Sequence, residues 1–319
     1  FVITSVDKSN QDFSFTCKKH YATTLLNEIE NSDTYERVED ESVGDIVKRH
    51  AEYIRTHFST PRTFTTQKFP VNPDSIDEDV SRLKSMPKYH KDPLKSRFSI
   101  SASSKCSVKS LAVKINIFFN YLQPYFERLW TKTFRSAGLE TARSWVAKDA
   151  TVVADMVRSM NRTLSKREIS RTLFETRDFS TLYTNIKLDD LVTRLNNLIS
   201  EVATIDDPTH PYTHLRFNDS SAINEGSLCI KPSDADCKKE KPRWNYVSLA
   251  KIKKAISFLI HNTYIRLGTD IILKQKIGIP MGTNPAVHFA NCFLFSYELD
   301  FARRLIRLGR IDILRKFRW

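Results

Sequence analysis

Glycine is scarce in this chain, with 7 in 319 residues where ordinary usage is about 7%. That excludes collagen-like and glycine-rich linker architectures, and each glycine that remains asks for a local reason. Long apolar runs are also missing. No stretch approaches the roughly 18 uninterrupted apolar residues of a membrane helix, so no spanning helix is expected. No charged, apolar and small-residue leader is seen at the N-terminus, although the sequence opens on Phe1 rather than Met. The 5 cysteines are odd in number and scattered, which fits reduced thiols in a cytosolic or nuclear compartment better than a disulfide framework. Cys229 and Cys237, with His210 and His214 upstream, match no common zinc spacing. There is no internal repeat and no low-complexity tract.

What is present is positive charge and aromatic surface. Lysine and arginine total 50 against 37 acids, giving +13, with 20 Phe, 11 Tyr and 4 Trp interleaved. Such a mixture suits phosphate contacts and base stacking. A basic surface kept for solubility is the plainer alternative. The 40% hydrophobic content is enough to build cores for two or more subdomains.

Along the chain, FVITSVDKSNQDFSFTCKKHY reads as a hairpin turning at Lys8 to Gln11, followed by a helix through ATTLLNEIE. Residues 31 to 85 are mostly charged and read as helical or irregular, with a proline-containing loop at Thr65 to Ser75. PKYHKDPLKSRFSISASS reads as a basic loop leading into a short strand. A helix from about Val108 presents Leu111, Ile115, Phe118, Phe119 and Leu122 until Pro124 interrupts it. A second covers about Glu140 to Asn161, with Trp145, Val152, Val153, Met156 and Met160 inward.

RTLFETRDFSTLYTNI reads as a strand ending near Asp178, and Leu188 to Val202 as a helical stripe. Residues 204 to 246 are polar and read as an inserted surface loop. Ser248 is placed to cap the helix carrying Leu249, Ile252, Ile256, Leu259 and Ile260. NTYIRLGTDIILKQKIGI reads as a hairpin turning at Gly268. The last helix runs from about Pro285 to Leu308, with Val287, Ala290, Leu294, Phe301 and Leu305 at core spacing and Asp300 paired to Arg304. The irregular alternation of strands and helices indicates an α+β fold.

Three places bear on chemistry. Asp178, at a strand end, can offer oxygen ligands to Mg²⁺, as two-metal phosphoryl transfer requires, though alone it also fits a turn or cap. Tyr183, five residues on, can form the floor beneath a nucleotide sugar, or be a core tyrosine. In Gln275 to Gly282 two glycines flank Pro280 where the chain turns from a hairpin into a helix. One glycine satisfies a turn, and the second suggests a ligand lying against the backbone, with a helix-entry turn as the alternative. Lys88, Lys91, Lys95 and Arg97 are suited to a triphosphate or nucleic-acid backbone, or form a solvated surface.

DFSTLYTNI, KIGIPMGTNPA followed by HFANCFLFSYELDF, and PKYHKDPLKSRFSIS together resemble the reverse transcriptases of Penelope-like retroelements, which are related to telomerase reverse transcriptase. The likeness extends over most of Phe1 to Trp319. It implies a right-hand polymerase with fingers and N-terminal part at 1–165 and palm at 166–319, the insert lying at about 204–246. The implied activity is RNA-directed DNA synthesis from dNTPs, with Mg²⁺ or Mn²⁺, on an RNA template and a DNA primer or target. Asp178 would be the first metal carboxylate and Tyr183 the sugar gate, with Phe179, Gln275, Gly278, Pro280 and Gly282 on the nucleotide side. Arg97, assisted by Lys88 or Lys91, would reach the triphosphate. Location would be nuclear or cytoplasmic, nuclear being favoured by the need to reach a DNA target.

The family's second acidic motif, an aromatic residue, a variable residue and two aspartates, is not found after the last long helix. Asp189-Asp190 and Asp206-Asp207 come too early. The palm is thus expected to be incomplete and this polypeptide catalytically incomplete. A non-catalytic domain that binds RNA or an RNA–DNA hybrid is the competing expectation, and a purely structural α+β protein a third.

Overall fold

Alternation with period two and apolar stripes with period 3.6 divide the chain into sheets and a helical core. The computed structural model describes residues 1–9, 11–31, 33–58, 79–101, 106–139, 150–163, 182–218, 225–230, 233, 244–268, 271–280 and 282–316. In chain order the elements are β1 (Val2–Ser5), β2 (Phe13–Thr16), α1 (Lys18–Glu30), β3 (Tyr35–Val38), α2 (Val43–Phe58), β4 (Ser81–Lys88), β5 (Lys95–Ser101), α3 (Lys109–Arg135) and α4 (Ala150–Thr163). There follow a single helical turn α5 (Leu182–Asn185), α6 (Leu188–Ala203), β6 (His214–Asn218), β7 (Glu225–Cys229), β8 (Asn245–Ser248), α7 (Leu249–His261), β9 (Tyr264–Leu267), β10 (Ile271–Gln275), α8 (Ala286–Arg307) and α9 (Ile311–Lys316). The fold is mixed α and β, in line with the α+β expectation.

The largest sheet has the order β3-β10-β9-β4-β5. It takes strands from both sides of residue 165, all antiparallel except the β4–β9 pair. Alternate residues serve opposite faces. Leu83, Ile265 and Leu273 pack with Leu25 of α1, whereas Val80, Tyr264 and Ile272 pack with Ile46 of α2. Each face thereby gains an apolar cover.

Helices α3, α6, α7 and α8 form the main core, around Phe119, Leu122, Leu195, Ile199, Ile256, Leu259 and Phe289. The stripe from Leu188 to Val202 is buried as its spacing requires. Among the described residues no helix is long and apolar enough to cross a membrane.

Several expectations are corrected. Pro124 does not end its helix, since α3 runs through it to Arg135. Phe126, Leu129, Trp130 and Phe134 are buried beyond it, and that burial outweighs one lost backbone hydrogen bond. Residues 204 to 246 are more than a loop. β6 pairs with both β7 and β8, burying Leu215, Phe217, Leu228 and Val247.

β3 is not anticipated by the sequence, because YERV places two charged residues on a strand that, among the described residues, lies at the sheet edge and pairs with β10. The basic segment is a full hairpin, with Lys88 opposite Lys95, and not only a loop before a strand. Val153 is exposed, and so are Val287 and Phe301. The buried arc of α8 keeps the expected Ala290 and Leu305 and adds Phe289, Cys292, Phe293, Phe295, Leu299 and Ala302. Asp300 is bonded by Arg194 of α6 at 3.2 Å, across the helix pair rather than along the helix. Trp145 and the Thr65 to Ser75 loop lie outside the described residues, as do the side chains of Met156 and Met160.

Candidate functional site

The glycine stretch leaves the end of β10 and turns back over the segment around Tyr183. Lys276 N–H donates to the Thr34 carbonyl at 2.8 Å, and Ile277 forms an antiparallel bridge with Lys187. Gly278 N–H then donates to the Ile186 carbonyl at 2.7 Å, and Ile279 N–H to the Tyr183 carbonyl at 2.8 Å. Two stretches some ninety residues apart in the sequence are joined by main-chain bonds.

Both glycines have positive φ, 93° at Gly278 and 96° at Gly282. That conformation strains any residue bearing a Cβ. At Gly278 a Cβ would also overlap the Tyr183 carbonyl oxygen and stand 3.1 Å from Thr184 Cα. A second glycine therefore does not by itself call for a ligand. Each glycine has its own backbone reason, and Gly278 is covered by this chain's backbone. Gly282, by contrast, is exposed.

Beyond Gly282 the Thr283 N–H and hydroxyl both return to the Pro280 carbonyl, at 3.2 and 2.8 Å, closing the turn ahead of α8. Gln275 is buried, and its amide nitrogen donates to the Ile277 carbonyl at 3.0 Å. Among the described residues its Oε1 is buried with no hydrogen-bond partner, an acceptor whose desolvation none of them offsets. Tyr183 packs half-buried at the margin of the main core, and burial raises the pKa of its phenol above the ordinary value.

The structure therefore brings Tyr183, Gln275, Gly278 and Pro280 together, with Gly282 at the exposed end of the same turn. Asp178 and Phe179 lie outside the described residues. Arg97, Lys88 and Lys91 sit on the β4–β5 hairpin. Ser81 is level with Ile265 near the glycine-loop end of the sheet, while Arg97 faces Met86 and Lys88 faces Lys95. At about 3.3 Å per residue these lie roughly 17 and 23 Å along β4 from Ser81. Arg97 Nη1 meets Asp7 Oδ1 at 3.1 Å, with the Asp7 side chain only 3% exposed.

Among the described residues no group of three or more His, Cys, Asp and Glu side chains could hold a metal ion. Asp189 takes the His261 ring at 3.0 Å, and Asp190 takes Tyr297 at 3.0 Å and Arg194 at 3.3 Å. The described residues do not make up a Mg²⁺ site, and that expectation rests on Asp178. A cavity of about 700 Å³ lined by Lys132, Glu201, Asp300, Arg303 and Arg307 lies at the C-terminal ends of α3, α6 and α8, at the other end of α6 from the glycine loop.

Sequence reasoning missed Thr34, Ile186 and Lys187 as anchors of the loop. They act through backbone atoms, which leave no side-chain signal.

No protein-family model matches the chain, and no curated protein matches it. Among solved structures it is similar to telomerase from Candida tropicalis, determined in complex with a TWJ fragment of telomeric RNA, at 14% identity and a TM-score of 0.47. The alignment covers 92% of this chain and 38% of that one.

Proposed function

We propose that this chain is the fingers and palm portion of an RNA-directed DNA polymerase from a retroelement akin to the Penelope-like ones. Residues 1–165 make up the fingers and N-terminal part, and residues 166–319 the palm portion. Its partners are an RNA template, a DNA primer or target, and dNTPs, and its place of action is the nucleus. Asp178 contributes to holding Mg²⁺, which Mn²⁺ can replace, and when bound the metal supplies charge stabilisation for nucleotidyl transfer. Tyr183 and Phe179 face the nucleotide, and Gln275, Pro280 and Gly282 border it on the other side. Arg97 with Lys88 or Lys91 attends the triphosphate.

One observation supports this reading above the others. The two stretches whose resemblance suggests a nucleotide pocket, DFSTLYTNI and KIGIPMGTNPA, meet through the bonds from Gly278 and Ile279 to Ile186 and Tyr183. A single pocket built from both requires that meeting. The unpartnered Gln275 Oε1 beside it fits a group awaiting a donor.

The test has two parts. Binding of an RNA–DNA hybrid should fall steeply with salt. Absence of salt-dependent binding rejects the reading. Because one acidic candidate cannot hold two metals, this polypeptide alone should give no primer extension, and templated synthesis by it would show that expectation to be wrong. Placed in a polypeptide that does synthesise, Asp178→Ala should abolish extension and spare hybrid binding.

A second reading, a non-catalytic domain that holds RNA or a hybrid, is favoured by Asp189 and Asp190 being engaged elsewhere. It predicts that no polypeptide containing this chain extends a primer.

A further inference from the structure

The β1–β2 ribbon is built with its faces reversed. A ribbon lying on a protein body ordinarily turns apolar residues inward and polar ones outward. Here Ile3, Phe13 and Phe15 point outward at 61%, 66% and 69% exposure, whereas Ser14 is buried at 3%. The register sets Ile3 opposite Phe15 and Ser5 opposite Phe13, so these side chains share one face. The inward face carries Thr4, Ser14 and Thr16 beside a single apolar residue, Val2. Ser14 exchanges a hydrogen bond with the Tyr89 hydroxyl at 2.8 Å and Thr16 lies 3.4 Å from it.

The ribbon is fixed to the basic hairpin. Asp7 N–H donates to the Pro87 carbonyl at 3.1 Å, and Asp7 holds Arg97. Residues 1–20 and 84–98 together carry eight lysines and arginines against three aspartates, one of which, Asp7, is already paired to Arg97. The ribbon and the hairpin it is fixed to thus supply Lys8 in the ribbon's own turn, Lys18 and Lys19 at the start of α1, and Lys88, Lys91 and Lys95 on the hairpin.

We propose that this outward face is a stacking platform for a single-stranded stretch of RNA, its phosphates held by these lysines. Phe13 and Phe15 stand two residues apart on one strand, about 6.8 Å, and aromatic rings on an exposed sheet face stack successive bases in this way. Basic surroundings decide the occupant, since they attract phosphate and oppose a second copy of the same positive surface. The choice of RNA over DNA rests on the function proposed above, in which RNA is the template.

The experiment is fluorescence anisotropy of the 319-residue chain with a labelled oligo(U) of about 12 nucleotides, a length within the usual single-strand site sizes, and with oligo(dT) of equal length, over a series of salt concentrations. Phe13→Thr/Phe15→Thr keeps strand propensity and should weaken oligo(U) binding roughly 10- to 100-fold, the scale of one or two base stacks, with the salt slope unchanged. Phe13→Tyr/Phe15→Tyr, which keeps both rings, should bind as the parent does, separating stacking from folding. Lys91→Gln/Lys95→Gln should lower the salt slope by about 0.7 for each phosphate that is no longer neutralised.

Parent-like oligo(U) affinity in the double threonine variant overturns the platform while leaving the polymerase reading intact. An effect confined to oligo(dT) overturns the assignment to RNA. A self-association of the parent, seen by sedimentation and abolished in the threonine variant without change in RNA binding, assigns the face to a second copy and overturns the proposal. No binding of any nucleic acid by the parent rejects the proposed function itself.

Discussion

Ile279 N–H donates to the carbonyl of Tyr183 at 2.8 Å, and this bond, with its neighbour from Gly278 to Ile186, ties the glycine turn to the start of the helical core. A turn held by main-chain atoms keeps its shape whichever side chains surround it. The demand falls on the absence of a side chain at Gly278.

Gly278→Ala is therefore expected to destabilise the fold by about 2–4 kcal/mol, combining positive-φ strain with a steric overlap against backbone that cannot move aside. Gly282→Ala shares the positive φ but is exposed, and should cost about 1 kcal/mol. Urea unfolding of the two variants checks the order. Equal losses would show that the approach of Tyr183 does not constrain Gly278.

The pairing of Arg97 with the buried Asp7 yields a second prediction. Arg97→Ala should cost about 1–3 kcal/mol, because the carboxylate loses its cation while remaining largely out of water. Asp7→Asn/Arg97→Ala should be less destabilised than the two single losses added together. A double-mutant cycle by thermal melting measures the coupling. It also separates a loss of nucleotide binding in Arg97→Ala from a loss of fold, since the double variant removes the unpaired buried carboxylate without restoring the guanidinium.

Helix α7 offers a check on a local signal. The Ser248 hydroxyl accepts from Lys251 N–H at 3.2 Å. Ser248→Ala should destabilise by about 1 kcal/mol and Ser248→Asp by much less, since aspartate caps equally well. Chemical denaturation reads both. A smaller loss for alanine than for aspartate would mean the strand β8 and not the cap governs this position.

How far the sequence reveals this molecule follows from where the signals reside. The stripe from Leu188 to Val202 and the cap at Ser248 are local, and both are legible. Pro124 misleads because its cost is local while the compensating burial of Trp130 and Phe134 is tertiary. Spacing alone misplaces the face of α8 because α3 and α6 both pack on it, widening the buried arc to include Phe289 and Phe293. Residues 204 to 246 hide strands because each is short and flanked by polar turns, so Leu215, Phe217 and Val247 disclose their common face only after pairing. At the candidate site the residue types of Gly278 and Pro280 are legible, and the partners Thr34 and Ile186, contributing carbonyls alone, are not.

One buried and one half-buried titratable group, His50 and Glu298, set the last prediction. His50 is enclosed by Phe258 and Tyr264, its Nδ1 bonded to Ser107 Oγ at 2.8 Å and its Nε2 without a partner among the described residues. Burial, reinforced by neighbouring Arg49, depresses its pKa to about 3 from an ordinary 6.5. The unfolded chain therefore binds the extra proton first. The stability contributed by neutral His50 is complete above pH 6.5 and is lost as pH falls toward 3, at about 1.4 kcal/mol per pH unit. Glu298 acts in the opposite sense, since burial raises its pKa from 4.5 to about 7. Its contribution is complete below pH 4.5 and is lost as pH rises through 7. Between pH 4.5 and 6.5 the two slopes oppose each other. His50→Gln should then leave stability falling as pH rises through that window, and Glu298→Gln should leave it rising. Unfolding free energies by urea titration at about pH 4.5, 5.5 and 6.5 measure both slopes, and parallel profiles for the two variants would mean that neither group is buried as the structure has it.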